Sequence, residues 1–568
     1  MKKRLLSILY CQLLIIALAH AQTTASTNAA ILREQAFLHT DRNFYLAGEI
    51  VWLKMYCVIS DTTNKSAIGY VDLYNAGGQP IQQIKLLLDT VSNGYIQLPD
   101  SISSGTYTLR AYTRNMEQYG WMFEKNIQVM NTTVSVPHPV KPKASHPPAD
   151  TSLHLQTILS NATYGKRRPV DITVNTFQTP LVPIAANLSM SVYKLNELEQ
   201  PDNPTIQSLR IPSDAKFLTR DSTQIPEING QVLTGKITDK KTNQPLSVPI
   251  FLTITSSTPR FYCTPSSDNG EFAFELQGYS GEANAVLQAA AKNYQITVGN
   301  TFSNFDRTSS APMADTSNHH NEPPADSALM SILLEDHIDM QVMRAYYGDS
   351  MMLADDHFTD STVFFGKPDE QVLLDDYTRF NTLEEVFREF VKTVMVRKSN
   401  DTLHLHTLDN LMTNPKFFEQ DPLILLDGVP VFDNKRLFVI DPLKIKKVSV
   451  LARKVFYPGQ LFHGVVSLQT YTGDMAGYKL DANALVADYN GTEVPLKFFS
   501  PSYDQNQSPT LPDKRNLLYW NPTIKTDANG STNINFYTGD IPGKYCVVLQ
   551  GLTASGEPCC ALRTFVVE

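Results

Sequence analysis

The stretch 371–470 constrains the fold most, because it combines a helix-period segment with a strand that has no polar position. In its first part, apolar residues recur at helical spacing and therefore share one face of a helix. These residues are Leu383, Val386, Phe387, Phe390, Val391 and Val394. Thr382, followed three residues later by Glu385, has the pattern of a capping box, which predicts where this helix begins.

Three strands are predicted after the helix. The apolar run 423–426 predicts a strand buried on both faces, closed by a turn at Asp427-Gly428. Residues 447–451 and 465–470 predict a second and a third strand, with a turn around Gly459 and Gly464 between them. A helix followed by such strands predicts a small α+β domain, which we place at residues 331–475.

The same stretch resembles a known domain. The segments PLILLDGVPV, IDPLKIKKVSVL and GVVSLQT, in this order, resemble the plug domain of TonB-dependent outer-membrane receptors. A receptor plug sits inside a 22-stranded barrel, which takes on the order of two hundred residues in its strands alone. The residues after Thr470 are too few for that barrel. We therefore expect a plug-like domain in a chain that is not itself a transporter.

Most of the remaining sequence has the period of β-strands. Tyr107, Leu109 and Ala111 alternate with polar residues, which is typical of a half-buried strand. Similar segments lie at 170–174, 188–192, 271–276 and 532–536, and Gly- or Asn-containing turns recur between them. The predicted fold class is therefore mainly β, with several tandem β-sandwich domains and one small α+β domain.

Two of the sandwiches resemble domains of the α2-macroglobulin superfamily. The N-terminal sandwich resembles the MG2-type domain of this superfamily at Thr40, Asp41, Arg42, Tyr45 and Gly48. The C-terminal sandwich resembles another macroglobulin-like domain within 519–537. Asp41 and Arg42 could serve a function, but the pattern favours a structural ion pair at a strand end. A third segment, 229–276, resembles the carboxypeptidase regulatory-like sandwich, an accessory module that carries no catalysis.

These patterns divide the chain into eight parts. Lys2, Lys3 and Arg4 precede the apolar run 5–18 and an Ala-His-Ala site, which predicts a cleaved signal peptide, export, and a place in the periplasm, at the outer membrane or on the cell surface. No transmembrane segment is expected in the mature chain. The parts are a signal peptide at 1–21, a macroglobulin-like sandwich at 30–133, a Pro-rich linker at 134–151, a second sandwich at 152–225, a regulatory-like sandwich at 228–305, a disordered linker at 306–330, the plug-like domain at 331–475 and a C-terminal macroglobulin-like sandwich at 476–568.

The sequence offers little catalytic chemistry. The net charge of −9 and the absence of a basic stripe argue against a nucleic-acid partner. There is no Gly-x-Ser-x-Gly, His-Glu-x-x-His, Cys-x-x-Cys or phosphate-binding loop, and the macroglobulin thioester motif Cys-Gly-Glu-Gln is missing. We therefore predict no enzyme activity, no cofactor, and no catalytic, cofactor-binding or metal-binding residue.

Histidine and cysteine leave alternatives open. His404 and His406 could hold a metal with Asp409, although a solvent-facing pair opposite Leu403 and Leu405 is favoured. The pair His319-His320 is assigned to a polar tract. After loss of Cys11 five cysteines remain, which is no disulfide framework. A hairpin turning near Ser555 would place Cys546 nearly opposite Cys560, and the alternative is that Cys57, Cys263, Cys546, Cys559 and Cys560 are small buried thiols.

The hypothesis that follows is a non-enzymatic exported envelope protein with a binding or scaffold role. It would dock through its plug-like domain to an outer-membrane receptor or transport complex, by pairing of edge strands. The alternatives are a macroglobulin-like protease-interacting protein without a thioester, with residues 307–326 as its bait segment, and a glycan hydrolase whose carboxylates meet only in space. A glycan ligand also remains an open possibility.

Overall fold

The computed structural model describes residues 34–59, 65–88, 91–117, 121–133, 154–178, 181–199, 201, 206–209, 225–256, 258–299, 327–354, 365–503 and 511–568. The signal peptide expected at 1–21, the linker expected at 134–151 and the tract 306–326 with its two histidines lie outside these ranges. Strands dominate the described residues, so the prediction of a mainly β chain of sandwiches is confirmed.

The first sandwich, which we call sandwich 1, contains eight strands and one short helix. They are β1 Glu34–Thr40, β2 Phe44–Leu46, β3 Ile50–Ile59, β4 Ile68–Tyr74, β5 Pro80–Leu87, β6 Asn93–Gln97, β7 Gly105–Tyr112, α1 Arg114–Glu117 and β8 Phe123–Met130. One sheet has the order β1-β3-β6 and the other β2-β8-β7-β4-β5. Tyr107, Leu109 and Ala111 are buried in the core, as their alternation predicts.

The chain continues with two further sets of strands and a long helix. The first set is β9 Leu155–Leu159, β10 Thr163–Tyr164, β11 Pro169–Gln178, β12 Val182–Pro183 and β13 Ala186–Lys194. The second set is β14 Gln231–Asp239, β15 Pro249–Thr255, β16 Arg260–Pro265, β17 Glu271–Leu276, β18 Glu282–Ala289 and β19 Tyr294–Val298. The helix α2 spans Ser327–Met351.

Residues 370–470, which we call the insert unit, follow. They form β20 Glu370–Leu373, α3 Leu383–Phe390, β21 Val394–Ser399, β22 Thr402–Thr407, β23 Leu423–Leu426, β24 Val429–Pro430, α4 Asn434–Leu437, β25 Ile445–Tyr457 and β26 Gln460–Thr470. The main sheet has the order β20-β25-β26-β23-β24. The capping box is present, with the Glu385 amide donating to Thr382 Oγ1 at 3.3 Å and the Thr382 amide to Glu385 Oε2 at 3.1 Å. Of the two turn glycines expected, Gly459 lies in the β25–β26 turn, whereas Gly464 lies inside β26.

The last strands return to the earlier sandwiches. They are β27 Leu485–Asn490, β28 Leu517–Lys525, β29 Ser531–Tyr537, β30 Gly543–Thr553 and β31 Pro558–Val567. β29 pairs with β11, and β13 lies between β28 and β30. These nine strands, β9–β13 and β28–β31, share one core and form sandwich 2. β27 pairs with β18 and completes sandwich 3, which consists of β14–β19 and β27.

The organisation is therefore nested, and this corrects the expected domain boundaries. The segments 152–225 and 476–568 do not form separate sandwiches. Strands β9–β13 of the first segment and β28–β31 of the second pair with one another in the same two sheets. The insert unit lies in the sequence between β19 and β27 of sandwich 3, and sandwich 3 lies between β13 and β28 of sandwich 2. Alternation in a sequence identifies the face of a strand but not its partner, so pairing over such separations leaves no local signal.

Helix α2 also differs from its prediction. The spacing of Ile338, Val342, Ala345 and Tyr346 in the sequence predicts a short helix that leads towards the plug-like domain. The 25-residue helix instead buries Leu329, Leu333, Asp336, Asp339 and Met343, and Ile338 is 58% exposed. Leu329 and Leu333 pack on Phe44 and Leu46 of sandwich 1, so α2 belongs to the sandwiches. Within the described ranges, no helix is both long enough and apolar enough to cross a membrane.

Candidate docking surface on the insert unit

The main sheet of the insert unit is covered on both faces. On one face, Ile424 and Leu426 pack with α3 and α4. On the other face, Leu423 and Leu425 pack against Phe251 and other residues of sandwich 3. Thr253 Oγ1 donates a hydrogen bond to the Gly428 carbonyl at 2.8 Å across this second interface. The predicted double burial of residues 423–426 is therefore confirmed, and sandwich 3 supplies one of the two covers.

A buried carboxylate fixes the end of this sheet. Asp427 has a φ of 48° and Gly428 a φ of 81°, which is the left-handed backbone of a tight hairpin turn. The Asp427 carboxylate accepts hydrogen bonds from the Thr470 amide at 2.7 Å, the Thr470 hydroxyl at 2.6 Å and the Met475 amide at 2.9 Å. The Asp427-Gly428 turn after β23 thus holds the C-terminal end of β26 in place.

The side of the insert unit that sandwich 3 does not cover presents large apolar side chains. We call Tyr377, Val439, Leu443 and Tyr471 the helical-end surface. Val439 is 83% exposed and Leu443 59%, while the two tyrosine side chains are nearly half exposed. Contiguous exposed apolar patches on a folded protein mark interaction sites more often than scattered exposed residues do.

One arginine ties the parts of this surface together. Arg379 Nη1 donates to the Ile445 carbonyl at 3.0 Å, and Nη2 donates to the Asp375 carboxylate and to the Tyr471 hydroxyl oxygen. Hydrogen bonds from Tyr471 and Arg379 lower the pKa of Asp375, so this carboxyl stays ionised. Tyr377 stacks on Phe390 of α3 with ring centroids 4.5 Å apart. These contacts hold the surface in one shape, which favours binding by reducing the entropy lost on association.

An edge strand adjoins the helical-end surface. β20 is the terminal strand of its sheet and pairs with β25 alone among the described strands. Its last residue, Leu373, is 40% exposed and stands four positions before Tyr377. An open strand edge can accept a further strand from a partner.

The residues singled out in the macroglobulin-like signature have structural partners. Asp41 Oδ1 accepts hydrogen bonds from the Tyr45 hydroxyl and the Trp52 amide, both at 2.8 Å, and Asp41 Oδ2 lies 3.2 Å from Arg42 Nε. Arg42 also pairs with Glu49 at 2.9 Å. The expected ion pair is therefore present. Burial raises the pKa of Asp41 to about 6.

Sequence patterns gave no hint of Glu199, which completes this cluster. Its carboxylate accepts hydrogen bonds from the Phe44 amide at 2.9 Å and the Asn43 amide at 3.2 Å, so it joins sandwich 1 to the segment after β13. Burial raises the pKa of Glu199 to about 8. Glu199 stands in a polar stretch without periodicity, and only its distant partners distinguish it from a surface glutamate.

The histidines of β22 do not meet Asp409. His404 Nδ1 lies 2.7 Å from Asp421 Oδ2, and both side chains are partly exposed. His406 is buried, so the favoured solvent-facing arrangement is correct for His404 and wrong for His406. Across the described residues, no group of three or more His, Cys, Asp and Glu side chains is placed to bind a metal ion.

The cysteines agree with the second of the two alternatives, that they are free thiols and not a disulfide pair. β30 and β31 form the hairpin that was expected around Ser555, but their register sets Gln550 opposite Cys560 and Thr564 opposite Cys546. All five described cysteines are free thiols, and four of them are buried. The proposed bait segment 307–326 lies outside the described residues.

Comparison with known proteins adds weak fold-level similarities. No family model and no curated protein matches this chain. Among solved structures, α2-macroglobulin from Salmonella reacted with methylamine aligns with 94% of this chain and 39% of its own, at 10% identity and a TM-score of 0.24. The native conformation of E. coli α2-macroglobulin aligns with 94% and 40%, also at 10% identity and a TM-score of 0.24. A structure of carbohydrate-binding modules of the β-sandwich superfamily aligns with 43% of this chain and 84% of its own, at 12% identity and a TM-score of 0.13.

The chain spans about two fifths of the length of these macroglobulins. The fold class of this chain is defined by its own sheets, which form three β-sandwiches with a small α+β unit inserted in the third.

Proposed function

We propose that this protein is a non-enzymatic exported component of the cell envelope that binds an outer-membrane receptor or transport complex through the insert unit. One observation carries the proposal: Val439 and Leu443 of the helical-end surface are exposed, although both faces of the main sheet in the same unit are covered. The resemblance of residues 371–470 to receptor plugs supports the choice of an outer-membrane partner.

The position of the insert unit suits such a role. After its last strand the chain leads directly to β27 of sandwich 3, and Phe251 and Phe261 of that sandwich pack against the sheet of the insert unit. The unit is thus held by one chain connection and one apolar interface, and no residue of the helical-end surface takes part in that interface. Tyrosine and arginine, as in Tyr377, Tyr471 and Arg379, are residue types enriched at protein interfaces.

The test compares two double variants of the full-length tagged protein during affinity purification from the envelope. Val439→Asp with Leu443→Asp charges the helical-end surface, and Leu411→Asp with Met412→Asp charges an exposed loop of the same unit as a control. We expect one outer-membrane protein to co-purify in stoichiometric amount with the wild type and the control. Its yield should fall at least tenfold with the first variant, because central apolar anchors carry about 2 kcal/mol or more of binding energy.

Two results would contradict the docking proposal. The protein could come out of the soluble fraction without a partner, or both double variants could retain the same partner equally. Export is tested separately by the intact mass of the purified protein, which should correspond to a chain that begins at Gln22. A chain that keeps residues 1–21 would argue against cleavage at that position.

A further inference from the structure

A cavity of about 450 Å³ lies between α2, sandwich 1 and the start of β28, away from the helical-end surface. Its wall is mostly apolar, with charged residues among the lining, and its large apolar side chains come from three separate parts of the chain: Trp52, Met340, Met343, Met352, Phe498 and Phe499. Its size falls within the range of ligand pockets, and domain interfaces are a common place for them. Methionine side chains are flexible and polarisable, so they adapt to ligands of differing shape.

Helix α2 is fixed over the cavity by polar contacts on both sides. Arg344 Nη1 donates to Asp100 Oδ1 of sandwich 1 at 2.9 Å, and Nη2 donates to the Gly48 carbonyl. Towards sandwich 2, the Asp336 carboxylate accepts hydrogen bonds from Asn196 at 3.1 Å and from Asn516 at 3.2 Å. The wall that carries the methionines is therefore held in place on both sides.

The cations around the cavity are committed to carboxylates. Arg42 pairs with Asp41 and Glu49, and Arg344 pairs with Asp100. Arg515 makes two hydrogen bonds of 2.7 Å to Asp513, and Lys514 Nζ lies 3.5 Å from Asp339 Oδ1. A bound carboxylate or phosphate would have to displace one of these internal partners, so the electrostatics favour a neutral ligand.

We propose that this cavity binds a small, neutral, mostly apolar molecule. The apolar part of the ligand lies against the methionines and the aromatic rings. The site is independent of the docking surface on the insert unit.

The experiment titrates the full-length mature protein with N-phenyl-1-naphthylamine, a neutral apolar amine with one N–H whose fluorescence rises in an apolar site. We expect saturable binding and energy transfer from Trp52, which lines the cavity. Competition then compares 1-decanol with decanoate. The alcohol should displace the probe at a concentration about tenfold lower than decanoate does, because a carboxylate would have to displace one of the internal partners of the cations around the cavity.

Three variants locate the site. Met343→Trp fills the cavity and should abolish probe binding, while Met412→Trp, on an exposed loop of the insert unit, should leave it unchanged. If circular dichroism shows that Met343→Trp is unfolded, Met352→Trp at the exposed rim replaces it.

The proposal is overturned if the probe does not bind saturably, or if the tryptophan variants in the cavity bind it as the wild type does. Equal competition by 1-decanol and decanoate would refute the preference for a neutral ligand. Loss of probe binding in Val439→Asp with Leu443→Asp would place the probe on the helical-end surface and also refute the cavity site. Failure of the docking experiment alone leaves the cavity binding unaffected, so the two proposals fail separately.

Discussion

Two of the interfaces that join the units of this protein differ in chemistry. Sandwich 3 meets the insert unit mainly through apolar side chains, including Phe251, Phe261 and Leu425. Sandwich 1 also packs apolar side chains such as Trp52 on sandwich 2, but this second interface, which we call the polar interface, buries polar groups as well. There, His39 Nδ1 lies 2.6 Å from Ser189 Oγ, and Lys54 Nζ donates to Asn187 Oδ1 at 2.6 Å. Apolar contacts are non-directional and independent of pH, whereas buried polar groups need every partner in place.

The difference suggests two modes of failure. The apolar interface should lose stability in proportion to the apolar volume removed, whatever the pH. The polar interface should respond to the loss of single hydrogen-bonding groups and to protonation, because its titratable groups are buried.

The largest effect is expected at the apolar interface. Phe261 is 2% exposed and packs edge-on against Tyr457 of the insert unit, with ring centroids 5.6 Å apart. Phe261→Ala should lower the free energy of unfolding by about 3–5 kcal/mol, because it removes a large buried ring and leaves a cavity. Urea denaturation measures this change. Leu411→Ala, at a 76% exposed position, is the control and should stay within about 0.5 kcal/mol of the wild type.

At the polar interface, Lys54 is the most heavily committed cation. Its ammonium group also donates to the Pro522 carbonyl at 2.5 Å, and the residue is 1% exposed. Lys54→Met keeps the side-chain length but leaves these acceptors unsatisfied, so we expect a loss of about 1–3 kcal/mol in urea denaturation. Lys236→Met, on an exposed position of β14, is the matched control. Equal stability of the two variants would show that the polar contacts add nothing.

Part of the pH dependence should come from Glu199. Its pKa is about 8 in the folded protein, because burial disfavours the charged form, and about 4.3 in an unfolded chain. Between these values the folded state holds a proton that the unfolded state has lost, so this group's contribution to stability falls as the pH rises, by up to about 1.4 kcal/mol per unit. Glu199→Gln should flatten this slope between pH 5 and 8 in thermal unfolding monitored by calorimetry. An unchanged slope would mean that Glu199 is ionised in the folded protein.

The smallest effect is expected for the hydrogen bond that Thr253 makes across the apolar interface. Thr253→Val keeps the shape of the side chain and removes its bond to the Gly428 carbonyl, which should cost about 0.5–1.5 kcal/mol. Thr173→Val removes an exposed bond of 2.9 Å to Asn533 and should cost less. A loss at Thr253 as large as that at Phe261 would contradict the view that apolar contacts hold this interface.

The local structure of the insert unit was predictable from the sequence. The capping box at Thr382 and Glu385, the buried strand 423–426 and the turn at Asp427-Gly428 all depend on residues close together in the chain. Each element has a period or a pair of residues that identifies it without knowledge of its neighbours.

The arrangement of the units was not predictable in the same way. β11 pairs with β29 and β18 with β27, across hundreds of residues, and alternation does not name a partner. In helix α2 the pattern of apolar residues does not identify the buried face, for a further reason. It buries Asp336 and Asp339, which bond to Asn516 and Lys514, and leaves apolar side chains such as Ile338 exposed.

The most direct test of the docking proposal is photo-crosslinking in living cells. p-Benzoylphenylalanine replaces Val439 in the helical-end surface and, as a control, Phe456, which is 76% exposed near the opposite end of β25. We predict one discrete crosslinked product with an outer-membrane protein from position 439 and none from position 456. The absence of a product at 439, or the same product from both positions, would contradict docking through the helical-end surface.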